Sequence, residues 1–134
     1  YNALATCGNG AGMNLQVFEQ ELSVCKLPDA RGIDLSNGLT FVGVTDEEIS
    51  LVCPTPLVPQ NAIAREDGWR AFRVQGVLDF SLTGILARIS SVLANAQVGI
   101  FAVSTYDTDY ILVKAPDFMR ALDALRVAGF GIAQ

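Results

Sequence analysis

Apolar and polar side chains alternate with a period of two through Phe72, Arg73, Val74 and Gln75, the signature of a strand buried on one face. The period then changes. Ile85, Leu86, Ile89, Val92, Leu93 and Ala96 recur at spacings of three and four, which predicts an amphipathic helix with one buried stripe. Between the two lies a stretch of turn and capping residues, Gly76 to Gly84, in which Ser81 or Thr83 can accept a bond from the open amides of a new helix. Residues 98–105 are rich in β-branched and aromatic side chains, Tyr106-Asp107-Thr108 interrupts them, and residues 109–113 resume the pattern, so two strands joined by a polar turn are expected. Pro116 suits the first turn of a second helix, with Asp117 set favourably against its dipole. Phe118, Leu122 and Leu125 line that helix's inner face, Gly129 offers a left-handed stop, and residues 130–133 form a last strand.

The N-terminal half repeats this pattern more weakly. Strands are expected over residues 15–27, 39–45 and 48–53, with Asp46-Glu47 as the turn between the last two. The segment between Pro28 and Gly38 is too short and polar for a helix equivalent to the one at Ile85. Pro54, Pro56 and Pro59 are expected to open a short helix that runs through Ile63 and Ala64 and ends near Gly68. The resulting organisation is an N-terminal extension over residues 1–12, a degenerate first unit over 13–68 and a complete second unit over 69–134.

Composition narrows the functions available. A chain of 134 residues that is 51% apolar and 17% charged, with a mean hydropathy of +0.36, belongs with folded proteins that bury surface generously. Charge or glycine interrupts every apolar run before the roughly 20 residues that a spanning helix requires, so no membrane partner is expected. The net charge of -5 and the scatter of nine basic residues argue against nucleic acid. No histidine is present, which removes the commonest metal ligand and neutral-pH base; no metal, cofactor or catalytic residue is expected. Three widely spaced cysteines, Cys7, Cys25 and Cys53, make neither a disulfide framework nor a CxxC pair and fit a reducing, cytoplasmic setting.

The order βαββαβ after residue 70, the loop Leu78-Asp79-Phe80-Ser81-Leu82-Thr83-Gly84-Ile85-Leu86 and the run Ser104-Thr105-Tyr106-Asp107-Thr108-Asp109-Tyr110-Ile111-Leu112-Val113 together resemble ACT domains. The resemblance is nearest to the subgroup of aspartate kinase regulatory regions and CASTOR arginine sensors, and it covers the second half well and the first in outline. It implies an α+β fold of ferredoxin-like βαββαβ units in tandem, sharing an antiparallel sheet with helices on one face. It also implies a regulatory, non-enzymatic protein that binds an amino acid between units or chains.

A free amino acid needs anion-binding amides and a fixed negative charge. The loop that ends in Thr83 and Gly84 supplies a helix N-terminus. Asp107 or Asp109 can receive the ammonium, with neutral bonds from Thr105 and Thr108. The candidate ligand-binding residues are therefore Asp79, Ser81, Leu82, Thr83, Gly84, Ile85, Thr105, Tyr106, Asp107, Thr108 and Asp109. Two other readings compete: an assembly domain that binds no ligand, and a small enzyme on the same topology. The apolar side chains on both faces of Ile100, Phe101, Ala102 and Val103 ask for a cover on each side, from the other half of the chain or from another copy, and a homodimer or a larger complex is expected.

Overall fold

The computed structural model describes the backbone of residues 13–75 and 82–133, and every side chain in them except those of Leu82 and Thr83. Among the described residues seven strands and two α-helices follow one another as β1 (Asn14–Leu27), β2 (Phe41–Val44), β3 (Ile49–Pro54), β4 (Ala64–Gln75), α1 (Leu82–Asn95), β5 (Phe101–Ser104), β6 (Asp109–Lys114), α2 (Phe118–Val127) and β7 (Gly131–Ala133). The chain forms two compact units. One comprises residues 20–69; the other joins the segment ending at Glu19 to the chain from Arg70 onward. Both boundaries fall inside strands, β1 and β4.

In the C-terminal unit the strands run in the order β7-β1-β4-β6-β5. The βαββαβ order expected from the sequence is present from β4 to β7. A self-contained unit would close by laying β7 on β4; here the first residues of β1 occupy that place, and Asn14, Leu15 and Gln16 pair in parallel with Gly131, Ile132 and Ala133. The sheet is thus mixed at this pair and antiparallel where β5 meets β6. Gly131 makes the β1–β7 approach feasible, because a Cβ at this position would collide with the Asn14 side chain.

One face of this sheet carries both helices. Leu15 and Val17 of β1, Phe72 and Val74 of β4, and Ile111 and Val113 of β6 meet Ile85, Ile89 and Leu93 of α1 and Phe118, Ala121, Leu122 and Leu125 of α2. Removing such side chains from water contributes about 1.5–3 kcal/mol each, which is what holds the helices down. Both helices end in the same way. The Phe130 and Gly129 amides donate to the Leu125 and Arg126 carbonyls at the end of α2, with Gly129 in the left-handed region at φ 102°. At the end of α1 the Val98 and Gln97 amides donate to the Leu93 and Ala94 carbonyls, and Gln97 holds the left-handed position without being glycine.

In the other unit the order is β2-β3-β1-β4, with Leu22 to Leu27 antiparallel to β3 and β2 antiparallel to β3. No α-helix forms among its described residues. The short helix expected after Pro54 is instead a 3-10 turn, Thr55–Leu57, and residues 64–68 open β4. Prolines 56 and 59 lack the amides that a continuing helix would need. The core here is small: Cys25, Leu27, Leu51 and Cys53, with Ile33, Ile49, Leu57, Val58 and Ala62 against them. Ser23 is fully buried; its hydroxyl donates to Asp67 Oδ1 at 2.6 Å and lies 2.9 Å from Thr55 Oγ1. Asp67 Oδ1 also accepts from Arg65 Nε and Nη2.

Candidate functional site

The turn between β5 and β6 is closed by its own side chains. The Thr105 amide donates to the Thr108 carbonyl at 2.8 Å, the Thr105 hydroxyl donates to the same carbonyl at 3.0 Å, and Ser104 Oγ donates to Asp109 Oδ1 at 2.6 Å. Thr108 is 9% exposed, and its hydroxyl donates to the Val74 carbonyl at 2.8 Å, which ties the turn to β4. Asp107 and Tyr106 stand out at the tip, Tyr106 fully exposed. The turn between β2 and β3 uses the same device: the Thr45 amide donates to the Glu48 carbonyl at 3.0 Å, and the Thr45 hydroxyl accepts from the amides of Glu47 and Glu48. Threonine at this position serves both hairpins because its oxygen can both donate and accept.

Two open clefts meet at the Thr105–Asp109 turn. The smaller, about 340 Å³, is lined by Ser104, Thr105, Tyr106, Asp107, Thr108 and Asp109 together with Leu86 of α1. A helical side chain leans toward its own N-terminus, so the presence of Leu86 in this cleft brings the start of α1 close to the acidic turn. The larger, about 550 Å³, shares Thr105, Asp107 and Thr108 and adds Asn14, Arg73, Val74, Gln75 and Tyr110. Arg73 is held there by Tyr110, whose hydroxyl accepts from Nη1 at 3.2 Å. Its guanidinium carbon also lies 5.1 Å from the Phe18 ring centroid and 5.9 Å from that of Tyr110. Phe18 and Tyr110 stack at 6.2 Å.

The structure therefore brings Thr105, Tyr106, Asp107, Thr108 and Asp109 to one place. Asp79 and Ser81 lie outside the described residues, as do the side chains of Leu82 and Thr83, although Leu82 and Thr83 form the first turn of α1. Gly84 is exposed in that turn, while Ile85 is packed in the core beneath the helix. Sequence reasoning did not single out Asn14, Arg73, Gln75 or Tyr110. The available signal was alternation: each occupies the phase opposite to the residues of its strand that pack beneath the helices. Elsewhere, burial pushes the Cys53 thiol up to about 11, with neighbouring Cys25 adding to the effect, and burial raises Cys25 as well; neither is an activated nucleophile. Among the described residues no group of three or more Cys, Asp or Glu is arranged to hold a metal ion, and no helix is long and apolar enough to cross a membrane.

A family model described as the ACT domain matches residues 64–127. A solved protein from Agrobacterium tumefaciens is 31% identical, with a TM-score of 0.79 over 90% of this chain and 91% of its own. A Vibrio cholerae protein of unknown function, described as a possible transport protein, superposes with a TM-score of 0.73 at 18% identity over 95% of this chain and 96% of its own. The ligand-free regulatory subunit of aspartate kinase from Thermus thermophilus does so with a TM-score of 0.60 at 13% identity, over 90% and 99%. At these two lower identities the likeness is one of fold. No curated protein sequence matches the chain.

Proposed function

The chain belongs to the ACT-domain family, and on that premise we propose that it is a regulatory protein without catalysis that binds an amino acid in a reducing, cytoplasmic setting. One observation carries this reading: Leu86 of α1 and the Thr105–Asp109 turn line a single cleft. The first turn of a helix has amides with no partner inside the helix and the positive end of its dipole, which suits a carboxylate. Exposed Gly84 leaves room for close approach. Asp109 supplies the opposite charge, and the Ser104 hydroxyl holds its carboxylate in position, so that an ammonium group meets a fixed acceptor. The regulatory role follows the aspartate kinase subunits that share the fold.

The test is Asp109→Ala. A thermal-shift screen of the common amino acids first identifies a ligand, since binding to the native state raises the melting temperature. The variant should then bind that ligand at least about tenfold more weakly by calorimetry, equivalent to about 1.4 kcal/mol. Unchanged affinity removes Asp109 from the site. A screen in which no amino acid shifts the melting temperature favours an assembly domain instead.

A further inference from the structure

We propose that the larger cleft, which shares Thr105, Asp107 and Thr108 with the α1 cleft, is a second binding site, which takes a small zwitterionic carboxylate with Arg73 as its cation and Asp107 as its anion. The argument starts from what the arginines do. Arg31, Arg65, Arg120 and Arg126 each pair with an aspartate at 2.9 to 3.3 Å. Arg70 spends its donors on the Phe18 carbonyl, with its guanidinium 4.3 Å above the Phe118 ring, and Arg88 donates to the Ala128 carbonyl. Arg73 differs from the first four in having no carboxylate partner among the described residues, and from Arg70 and Arg88 in giving its donors to no backbone carbonyl there. Among the described residues its partners are a phenol and two rings, and no carboxylate pairs with it. In a chain of net charge -5, a half-buried guanidinium left without an anion is a cost that the fold keeps.

The contacts that Arg73 does make fix its plane without neutralising it. Rings on two strands, Phe18 of β1 and Tyr110 of β6, flank a side chain of β4, and the Tyr110 hydroxyl occupies only Nη1. A guanidinium so held loses little freedom when a carboxylate arrives and can meet it with two parallel bonds. Beside Val74, the neutral walls around it offer the amides of Asn14 and Gln75 and the hydroxyls of Thr105, Thr108 and Tyr110. Among the described residues Asp107 is the only acid that lines this cleft, and no ion pair joins it to Arg73. Two opposite charges held apart in one cleft of about 550 Å³ match a ligand that carries both, and Asp107 disfavours a dianion such as phosphate or a dicarboxylate. The site goes beyond the amino-acid reading of the α1 cleft, because it needs neither the helix N-terminus nor Asp109.

The experiment is titration of the full chain with glycine and with acetate, followed by the NMR resonances of Arg73 Nε–H and of the Thr108, Ser104 and Leu86 amides. Glycine is expected to move Arg73 and Thr108 saturably. Arg73→Met should weaken glycine at least about tenfold, Arg73→Lys should fall between the two because a lysine lacks the planar fork, and Asp107→Asn should weaken glycine while leaving acetate as tight or tighter. Asp109→Ala should leave these shifts in place, which separates this site from the α1 cleft. Circular dichroism melts report whether each variant is folded, and Arg73→Lys and Asp107→Asn, which retain the stem and shape, carry the test if Arg73→Met is not. The proposal is overturned if neither probe moves Arg73 saturably, if Arg73→Met binds glycine like the wild type, or if the shifts are confined to Leu86 and Ser104 and vanish in Asp109→Ala; that last outcome supports the α1 cleft alone.

Discussion

Replacing Thr108 with valine removes one oxygen and keeps the shape, and the loss can be worked from a single bond. The Thr108 hydroxyl is buried and donates to the Val74 carbonyl at 2.8 Å; valine places a methyl group against that carbonyl and withdraws its donor. Leaving a buried acceptor short of a partner costs about 1–3 kcal/mol. With an unfolding entropy near 2 cal/mol/K per residue, each kcal/mol corresponds to roughly 3–4 °C in a domain of this size. A fall in melting temperature of roughly 4–11 °C is expected by circular dichroism, with a matching fall in the urea midpoint and an unchanged slope. Thr108→Ser keeps the donor and loses one methyl, so it should lie closer to the wild type. The turn that this bond ties to β4 carries Asp107 and Asp109, and ligand affinity at either cleft should fall with it. If Thr108→Val is within about 0.5 kcal/mol of the wild type, the range of ordinary surface changes, the bond does not anchor the turn.

Two further predictions concern the cysteines and the assembly state. Because burial and the Cys25–Cys53 proximity raise the Cys53 thiol from 9.0 to about 11, its thiolate population at pH 8 is roughly a hundredfold below that of a free cysteine; iodoacetamide should label Cys53 at an ordinary rate only in denaturant, and rapid native labelling would refute the burial argument. In linkage terms the folded chain holds this proton more tightly than the unfolded one. The associated stability is present below pH 9 and lost as pH rises toward about 11, so the urea midpoint should drop more between pH 8 and about pH 10 in the wild type than in Cys53→Ala. A homodimer is expected from the half-buried Phe101 and Val103 on β5, a strand at the end of its unit's order; light scattering at micromolar concentration should give twice 14.3 kDa, and a monomer mass would count against it.

Local signals in the sequence were reliable where the structure they specify is itself local. The stripe at Ile85, Ile89 and Leu93 is buried as its spacing predicts, Gly129 stops α2, and the polar interruption Tyr106-Asp107-Thr108 falls in the hairpin turn, which also takes in Thr105, because a turn is decided by side chains bonding their own backbone. Expectations weakened where a distant strand decides the outcome. Residues 64–68, Ala-Arg-Glu-Asp-Gly, have poor strand propensity and yet open β4; their place in the order beside β1 supplies the partner that the residues alone do not announce. In the same way, nothing in the last third of the chain signals that β7 would pair with residues 14–16.

The larger cleft divides along that line. Its acidic turn is a local motif and could be read from Thr105 to Asp109, whereas its cation could not, since the alternation through Phe72, Arg73, Val74 and Gln75 marks Arg73 only as a residue pointing away from the core. What distinguishes a clamped arginine from a solvated one is its neighbours, and here they come from β1 and from β6, with the Tyr110 hydroxyl 37 residues along the chain from Arg73. Phe18 shows how tightly the clamp is woven into the fold: its carbonyl takes two bonds from Arg70, while its ring faces Arg73. The backbone bond fixes where the ring can sit, and the ring in turn fixes the plane of the guanidinium. A ligand at Arg73 would therefore meet a cation already oriented by folding, and this orientation depends on Phe18 and the early residues of β1 belonging to the C-terminal unit.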